Sequence, residues 1–445
     1  MESGFLAAIF LFAATFLMPA FSRELRKSRA IIFVYWVVIV FHQVVAFLNQ
    51  YLYAIRGSGV VGATNDARIF HSIAKELALN GELLHRGASL SVPLSLESFL
   101  KGGNFYYEML GSFYQWFSVS HLLGEQLSIL AFAFSCVVFL KIMRQLGLEH
   151  YRASCLFCFG ALPTMVLLSS VTLRESFEVF FFMLAVYSGV KISIREKLQI
   201  TSIFYMIIAA LLMGVFHRAL VVYAIFMIFL FLVYSPRPIS RWGNIKKLQL
   251  VAAWIIPFIF LSLVFMLAKN PMAFIYMQRV IDMGVFDAVA DYQKVSIENF
   301  GRTSYATVLD GSSIFMMIYS FLKVYSYYLF KPFPWELRNP MDFYAFCEVL
   351  MRTTLICFSV FEWRKAVGLR KRLLGLMLIL FFSMSILWAA GTTNYGTAIR
   401  HNLLTWWVLV IMGVPPLIKK LYFYIARYVS SNESDRRIAS NRGGK

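Results

Sequence analysis

Charged side chains are scarce in this chain: Asp, Glu, Lys and Arg make up 15% of its 445 residues. Soluble domains carry about 25%, so most of the length cannot face water as a globular surface. Cysteine is scarce too. Cys136, Cys155, Cys158, Cys347 and Cys357 all fall inside apolar segments. Cys155 and Cys158 have CxxC spacing, but no second ligand pair accompanies them, and they read as buried small hydrophobes. No GxxxxGK[ST] phosphate loop occurs, which excludes an ATP-driven machine of that type. Nor is any basic-side loop large enough for a nucleotide-sugar domain. No acidic cluster builds a cation site, so neither a metal nor another cofactor is expected.

What the chain has instead is apolar length. Hydrophobic residues make up 60% and mean hydropathy is +0.68. Runs long enough to cross a bilayer recur throughout. The pattern predicts an all-α, polytopic membrane protein forming a single integral domain over 1–445, with eleven spans: 5–21, 30–53, 126–143, 153–171, 177–190, 198–216, 219–235, 250–268, 343–361, 373–391 and 402–418. The stretch from Phe5 has no charged segment before it and reads as the first span, not a cleavable signal.

The net charge of +19 does not indicate a nucleic-acid partner, because the cations occupy short loops between spans. Arg23, Arg26, Lys27 and Arg29 mark the first such loop and Arg364, Lys365, Arg370, Lys371 and Arg372 the densest. Alternate connections, with the tail 419–445, hold 26 of the 42 Lys and Arg residues. The positive-inside rule makes that side cytoplasmic, with the N-terminus outside and the tail inside the cytoplasmic membrane. Counting 311–330 as a further span would put the densest cluster outside, so this segment is expected to be re-entrant or interfacial. Two long outer loops remain, 54–125 and 269–341, and each is expected to carry amphipathic interfacial helices.

The outer connections hold the ionisable residues of interest. Ile69, Ile73 and Leu77 recur at i, i+4 and i+8, which predicts an amphipathic helix over 67–79 begun at Asn65 or Asp66. Asp66 is then either its N-cap or a carboxylate placed to take a proton from a hydroxyl. Arg174 and Glu175 lie at a turn with Glu178 just beyond. Arg174 either pairs with Glu178 at i, i+4 or meets a phosphate, which its planar fork of donors suits. His217 and Arg218 interrupt an apolar stretch at its midpoint, as a polar hairpin turn or the wall of a cavity. Trp335, Glu336 and Arg338 follow Pro332 and Pro334 on a stiff extended segment, structural or functional. Tyr395, Arg400 and His401 open the last span; Arg400 alone would only snorkel. Arg174, Arg218, Arg338 and Arg400 come from four separate connections on one face, which fits a polyanion, and a lipid-linked phosphate or pyrophosphate is the obvious one at a membrane.

The order of these features resembles the GT-C superfamily of membrane glycosyltransferases and the related O-antigen-type polysaccharide polymerases of bacterial envelopes. The features are NDARIFHSIA in a long first loop, aromatic GGNFYYEMLGSFYQWF, PTMVLLSSVTLRES, PFPWE and a closing YGTAIRH. The resemblance implies a donor sugar on a polyprenyl phosphate or pyrophosphate, a glycan or lipid hydroxyl as acceptor, and Asp66 as catalytic base. Three features depart from that pattern: span 5–21 is added before the acidic loop, Asp66 has Asn65 rather than a second acid beside it, and no soluble C-terminal domain is recognisable. A lipid-linked oligosaccharide flippase is the alternative, although no internal repeat of the kind transporters carry is evident.

Overall fold

The computed structural model describes residues 3–56, 64–79, 104–194, 199–233, 289–291, 293–294, 297, 303–305, 307–310 and 312–442. The expected span 250–268 and residues 80–103 lie outside them. Every regular element among the described residues is helical, and Ser304 and Asn394 form an isolated antiparallel bridge.

Seven helices are long and apolar enough to cross a membrane, up to eight if a bent pair counts as one span. The seven are α1 (Ser3–Phe21), α2 (Arg29–Arg56), α5 (His121–Gln145), α8 (Glu175–Ile194), α12 (Pro340–Lys365), α13 (Gly368–Gly391) and α14 (Tyr395–Arg442). The chain is therefore a multi-pass membrane protein. Helices α3 (Thr64–Leu79) and α4 (Asn104–Phe117) lie within the first long loop.

One expected span is short. Helix α9 (Ile200–Phe216) has 17 residues. At a rise of about 1.5 Å per residue it falls below the bilayer's hydrocarbon thickness of about 30 Å. Helix α10 is described over Arg218–Val233. The segment expected at 153–171 is broken into α6 (Arg152–Gly160) and α7 (Pro163–Ser169), bent by 65°. Pro163 causes the break: it lacks an N–H and forces Leu162 to an extended ψ of 123°. Residues 314–330 form α11, a 17-residue helix with Ile314, Phe315, Ile318 and Leu322 exposed and Val324, Tyr328 and Leu329 buried.

Apolar side chains cannot drive helix association inside lipid, so polar and small residues define the contacts. Gln43 of α2 and Gln126 of α5 exchange amide hydrogen bonds of 2.9 and 2.7 Å. The Tyr35 hydroxyl donates to the Thr15 carbonyl of α1 at 2.7 Å. Gly413 lets α14 cross α12: a Cβ there would lie 2.7 Å from the Leu355 carbonyl oxygen.

Charged clusters gather at the two ends of the bundle. Where α1 ends, Glu24 takes hydrogen bonds from Arg144 and, at 3.2 Å, from Arg152. Where α1 begins, Ser3 donates to the Phe117 carbonyl at 2.9 Å, so α3, α4 and the start of α5 lie at the other end. Helices α3 and α4 are amphipathic, but they do not simply rest on a membrane surface. They bury Ala74, Phe105, Tyr106, Leu110 and Tyr114 against Phe216 and the ends of neighbouring helices.

Candidate functional site

Arg400 is the residue around which this end is assembled. It sits in the second turn of α14, and its guanidinium grips two carboxylates from distant parts of the chain. Nη1 donates to Asp66 of α3, while Nε and Nη2 both meet Glu175 of α8. A planar fork of five N–H donors suits such a double grip, which a lysine could not reproduce. The two acids differ in access: the Glu175 side chain is 6% exposed and that of Asp66 is 46%. Glu175 anchors Arg400 from within, and Arg400 in turn holds Asp66 by one oxygen at an open edge.

Asp66 lies within the first turn of α3, which begins at Thr64 and so earlier than the periodicity indicated. Its carboxylate accepts from Arg400, which makes it more than a helix cap. Beside it, Arg174 approaches Glu178 through Nε at 3.2 Å, and its guanidinium lies over the Phe70 ring at 5.6 Å. The i, i+4 ion pair is therefore present. Glu175 and Glu178 occupy the first turn of α8, where the N-terminal end of the helix dipole favours negative charge. The cluster thus holds three carboxylates against two guanidiniums. Among the described residues Arg400 is committed to two acids and Arg174 to one.

His401, next to Arg400, and His217 meet on one indole. His401 stacks on Trp388 at 3.8 Å and shares a 3.0 Å hydrogen bond between its Nδ1 and the Thr392 hydroxyl. His217 meets the same indole edge-on at 4.8 Å, and its Nδ1 accepts the Ala219 N–H at 3.2 Å, capping the start of α10. His217 thus forms the turn between α9 and α10. The side chain of Arg218 lies outside the described part of the structure.

The remaining predicted residues are tied in less directly. The Tyr395 hydroxyl donates to Asp342 at 2.6 Å, and the other Asp342 oxygen accepts the Arg338 N–H at 3.0 Å. Glu336 pairs with Lys331 at 2.7 Å and accepts the Phe333 N–H at 3.0 Å. Trp335 stacks on Phe333 at 5.0 Å and is 79% exposed. Local contacts shape this proline segment, and none of its charged groups joins the Asp66 cluster.

Sequence reasoning passed over three participants. Asp342 had a readable signal, since Asn339–Pro340–Met341–Asp342 is a helix start with a capping Asn, Pro at the first position and an acid in the first turn. Trp388 gave none; its role as the platform for two histidines is visible only in space. Glu125 is 1% exposed in α5 and accepts hydrogen bonds from the Asn49 and Gln50 side chains of α2. Among the described residues no three His, Cys, Asp or Glu side chains converge to hold a metal ion. No family model, curated protein or solved structure matches this chain.

Proposed function

We propose that the chain is a membrane glycosyltransferase or polysaccharide polymerase of the GT-C kind, taking a sugar or glycan from a polyprenyl phosphate or pyrophosphate and adding it to a hydroxyl acceptor. The observation that carries this proposal is the half-exposed carboxylate of Asp66, held by Arg400 and backed by buried Glu175. A base needs a fixed, ionised oxygen within reach of the incoming hydroxyl. The Arg400 grip supplies the fixing, while the exposure leaves the second oxygen open. In the reaction Asp66 takes the acceptor's proton as its oxygen bonds to the anomeric carbon. The bond from that carbon to the phosphate oxygen breaks, and its electron pair leaves with the lipid phosphate. Arg174, committed to a single carboxylate, is the better-placed group to meet that phosphate. Arg400 is better suited to positioning, because a phosphate would have to displace two acids from it.

The site end is assigned to the outside of the cytoplasmic membrane, with donor and acceptor both reached there. In a background without the native cysteines, Ser72→Cys should react with an impermeant thiol reagent on intact cells. Val367→Cys should react only after permeabilisation; the reverse pattern rejects the orientation.

The function is tested with purified protein in liposomes supplied with a lipid-linked sugar and an acceptor. Transfer by the wild type, lost in Asp66→Asn at unchanged thermal stability, supports a catalyst. The polar contacts inside the bundle, Gln43 with Gln126 and Glu125 with Asn49 and Gln50, favour a second possibility, a flippase. Lipid-linked glycan crossing the bilayer with no transfer would make that the function.

A further inference from the structure

Helix α12 buries a second ionisable pair, away from the Asp66 cluster. Glu348 and Arg352 lie one turn apart and are 7% and 4% exposed. The Glu348 carboxylate accepts the Thr164 N–H at 3.0 Å and the Tyr344 hydroxyl at 2.5 Å. Arg352 makes no ion pair among the described residues, and its Nη1 is buried without a hydrogen-bond partner. Asn402 of α14 shows the complementary deficit. Its amide nitrogen donates to the Ala398 carbonyl at 2.8 Å, and its Oδ1 is buried without a partner. Glu348, Arg352 and Asn402 line one small space of about 10 Å³ together with Leu162, Leu403 and Trp406.

The chemistry of that space selects its occupant. Buried polar atoms are nearly always hydrogen-bonded, and a guanidinium inside a membrane bundle has a strong need for a partner. A halide would satisfy the Arg352 donor but would face the Asn402 oxygen and the Glu348 carboxylate. A cation would face the guanidinium. Water accepts from one group and donates to two others, and a space of about 10 Å³ holds one water molecule. We propose that a single water is a fixed part of the bundle here. It accepts from Arg352, donates to Asn402 Oδ1 and Glu348, and so makes Glu348 and Arg352 a water-bridged ion pair. The bridge ties α12 to α14 two residues from Arg400, and through Thr164 to the start of α7. It stands independently of the transferase proposal.

The test uses the full chain in nanodiscs. Asn402→Leu leaves Arg352 and Glu348 on an incomplete bridge and Arg352→Met leaves Asn402 and Glu348, so each should lower the thermal midpoint by several degrees. The double variant removes two of the three bridge groups, leaving Glu348 with its Thr164 and Tyr344 donors, and should cost clearly less than the sum of the two. Additive costs, or singles without effect, overturn the bridge. Replacing chloride by sulfate or bromide should leave the midpoint unchanged; a halide-dependent rise would make the site an anion site instead. Should the variants fail to fold, a high-resolution map of the wild type decides. Density within hydrogen-bond reach of both Arg352 Nη1 and Asn402 Oδ1 supports the proposal, and direct Arg352–Glu348 contact rejects it.

Discussion

The two ends of the bundle solve the same electrostatic problem with opposite stoichiometry. At the basic end one carboxylate, Glu24, lies between two guanidiniums, Arg144 and Arg152. At the other end one guanidinium, Arg400, lies between two carboxylates, Asp66 and Glu175. Glu24 is closed in: its side chain is 5% exposed, and Arg152 at 2% also donates to the Leu140 carbonyl at 3.2 Å. Asp66 is open. A shared acid buried between two cations is a structural knot that holds α5 and α6 to the turn after α1. A shared cation that presents an exposed acid leaves an oxygen for chemistry. Ion-pair count alone would not separate the two; access does.

The sharpest way to break the comparison is to neutralise each acid. Asp66→Asn keeps the shape but removes the proton acceptor, and transfer should fall by about 10²–10⁴-fold with the thermal midpoint little changed. Wild-type transfer by this variant would remove Asp66 from the base role. Glu24→Gln should do the reverse. It leaves Arg152 with only the half-exposed Glu149 at 3.3 Å as a counter-charge, at a cost below the roughly 3–5 kcal/mol of a fully unpaired buried charge, while the folded fraction keeps its specific activity. An unfolding titration alongside the transfer assay separates these outcomes.

Smaller effects sharpen the same contrast. Arg174→Ala should weaken use of lipid-linked donor about ten- to hundred-fold, the worth of one charge-assisted contact at about 1.5–3 kcal/mol, with the loss in KM more than in kcat. Arg400→Lys should lower kcat instead, because a point charge cannot grip two acids. A KM effect confined to Arg400→Lys would reverse the roles assigned to the two arginines. Gly413→Val touches neither end but forces α12 and α14 apart at the Leu355 carbonyl. Overpacking of this kind costs about 1–3 kcal/mol, visible as a lowered thermal midpoint.

Near neutral pH the smallest effect is that of His71 in α3, which grows only as the pH falls. His71 accepts or donates a 2.7 Å hydrogen bond with the Tyr114 hydroxyl and stacks on His121 at 3.4 Å. Burial, with His121 and Lys75 adding to it, pushes the ring down from 6.5 to about 3. The folded protein therefore keeps His71 neutral in a range where the unfolded chain protonates it. Its contribution to stability is whole above 6.5 and is lost as the pH falls from there toward 3, by at most about 1.4 kcal/mol per pH unit. His71→Gln should flatten the slope of thermal midpoint against pH over that window; an unchanged slope would assign it to other groups.

Legibility in the sequence followed the range of the interaction responsible. The long apolar runs of α1, α2, α5 and α13 were readable because a bilayer imposes length and composition on each segment separately. The Arg174–Glu178 pair was readable because its partners are four residues apart. Pro163, present in the sequence within an expected span, could have signalled the break between α6 and α7.

The sequence by itself determined a helical, multi-pass chain, because hydropathy acts locally along the chain. It also named Asp66, Arg174, Glu175, His217, Arg400 and His401 one at a time. Only the tertiary structure decided that Arg400 belongs to Asp66 and Glu175, that His217 and His401 share Trp388, and that Glu336 stays with Lys331. Arg400 is 334 residues from Asp66 and 225 from Glu175. No local preference encodes contacts of that separation; they arise when packed helices bring their ends together and desolvation makes each buried charge find a partner.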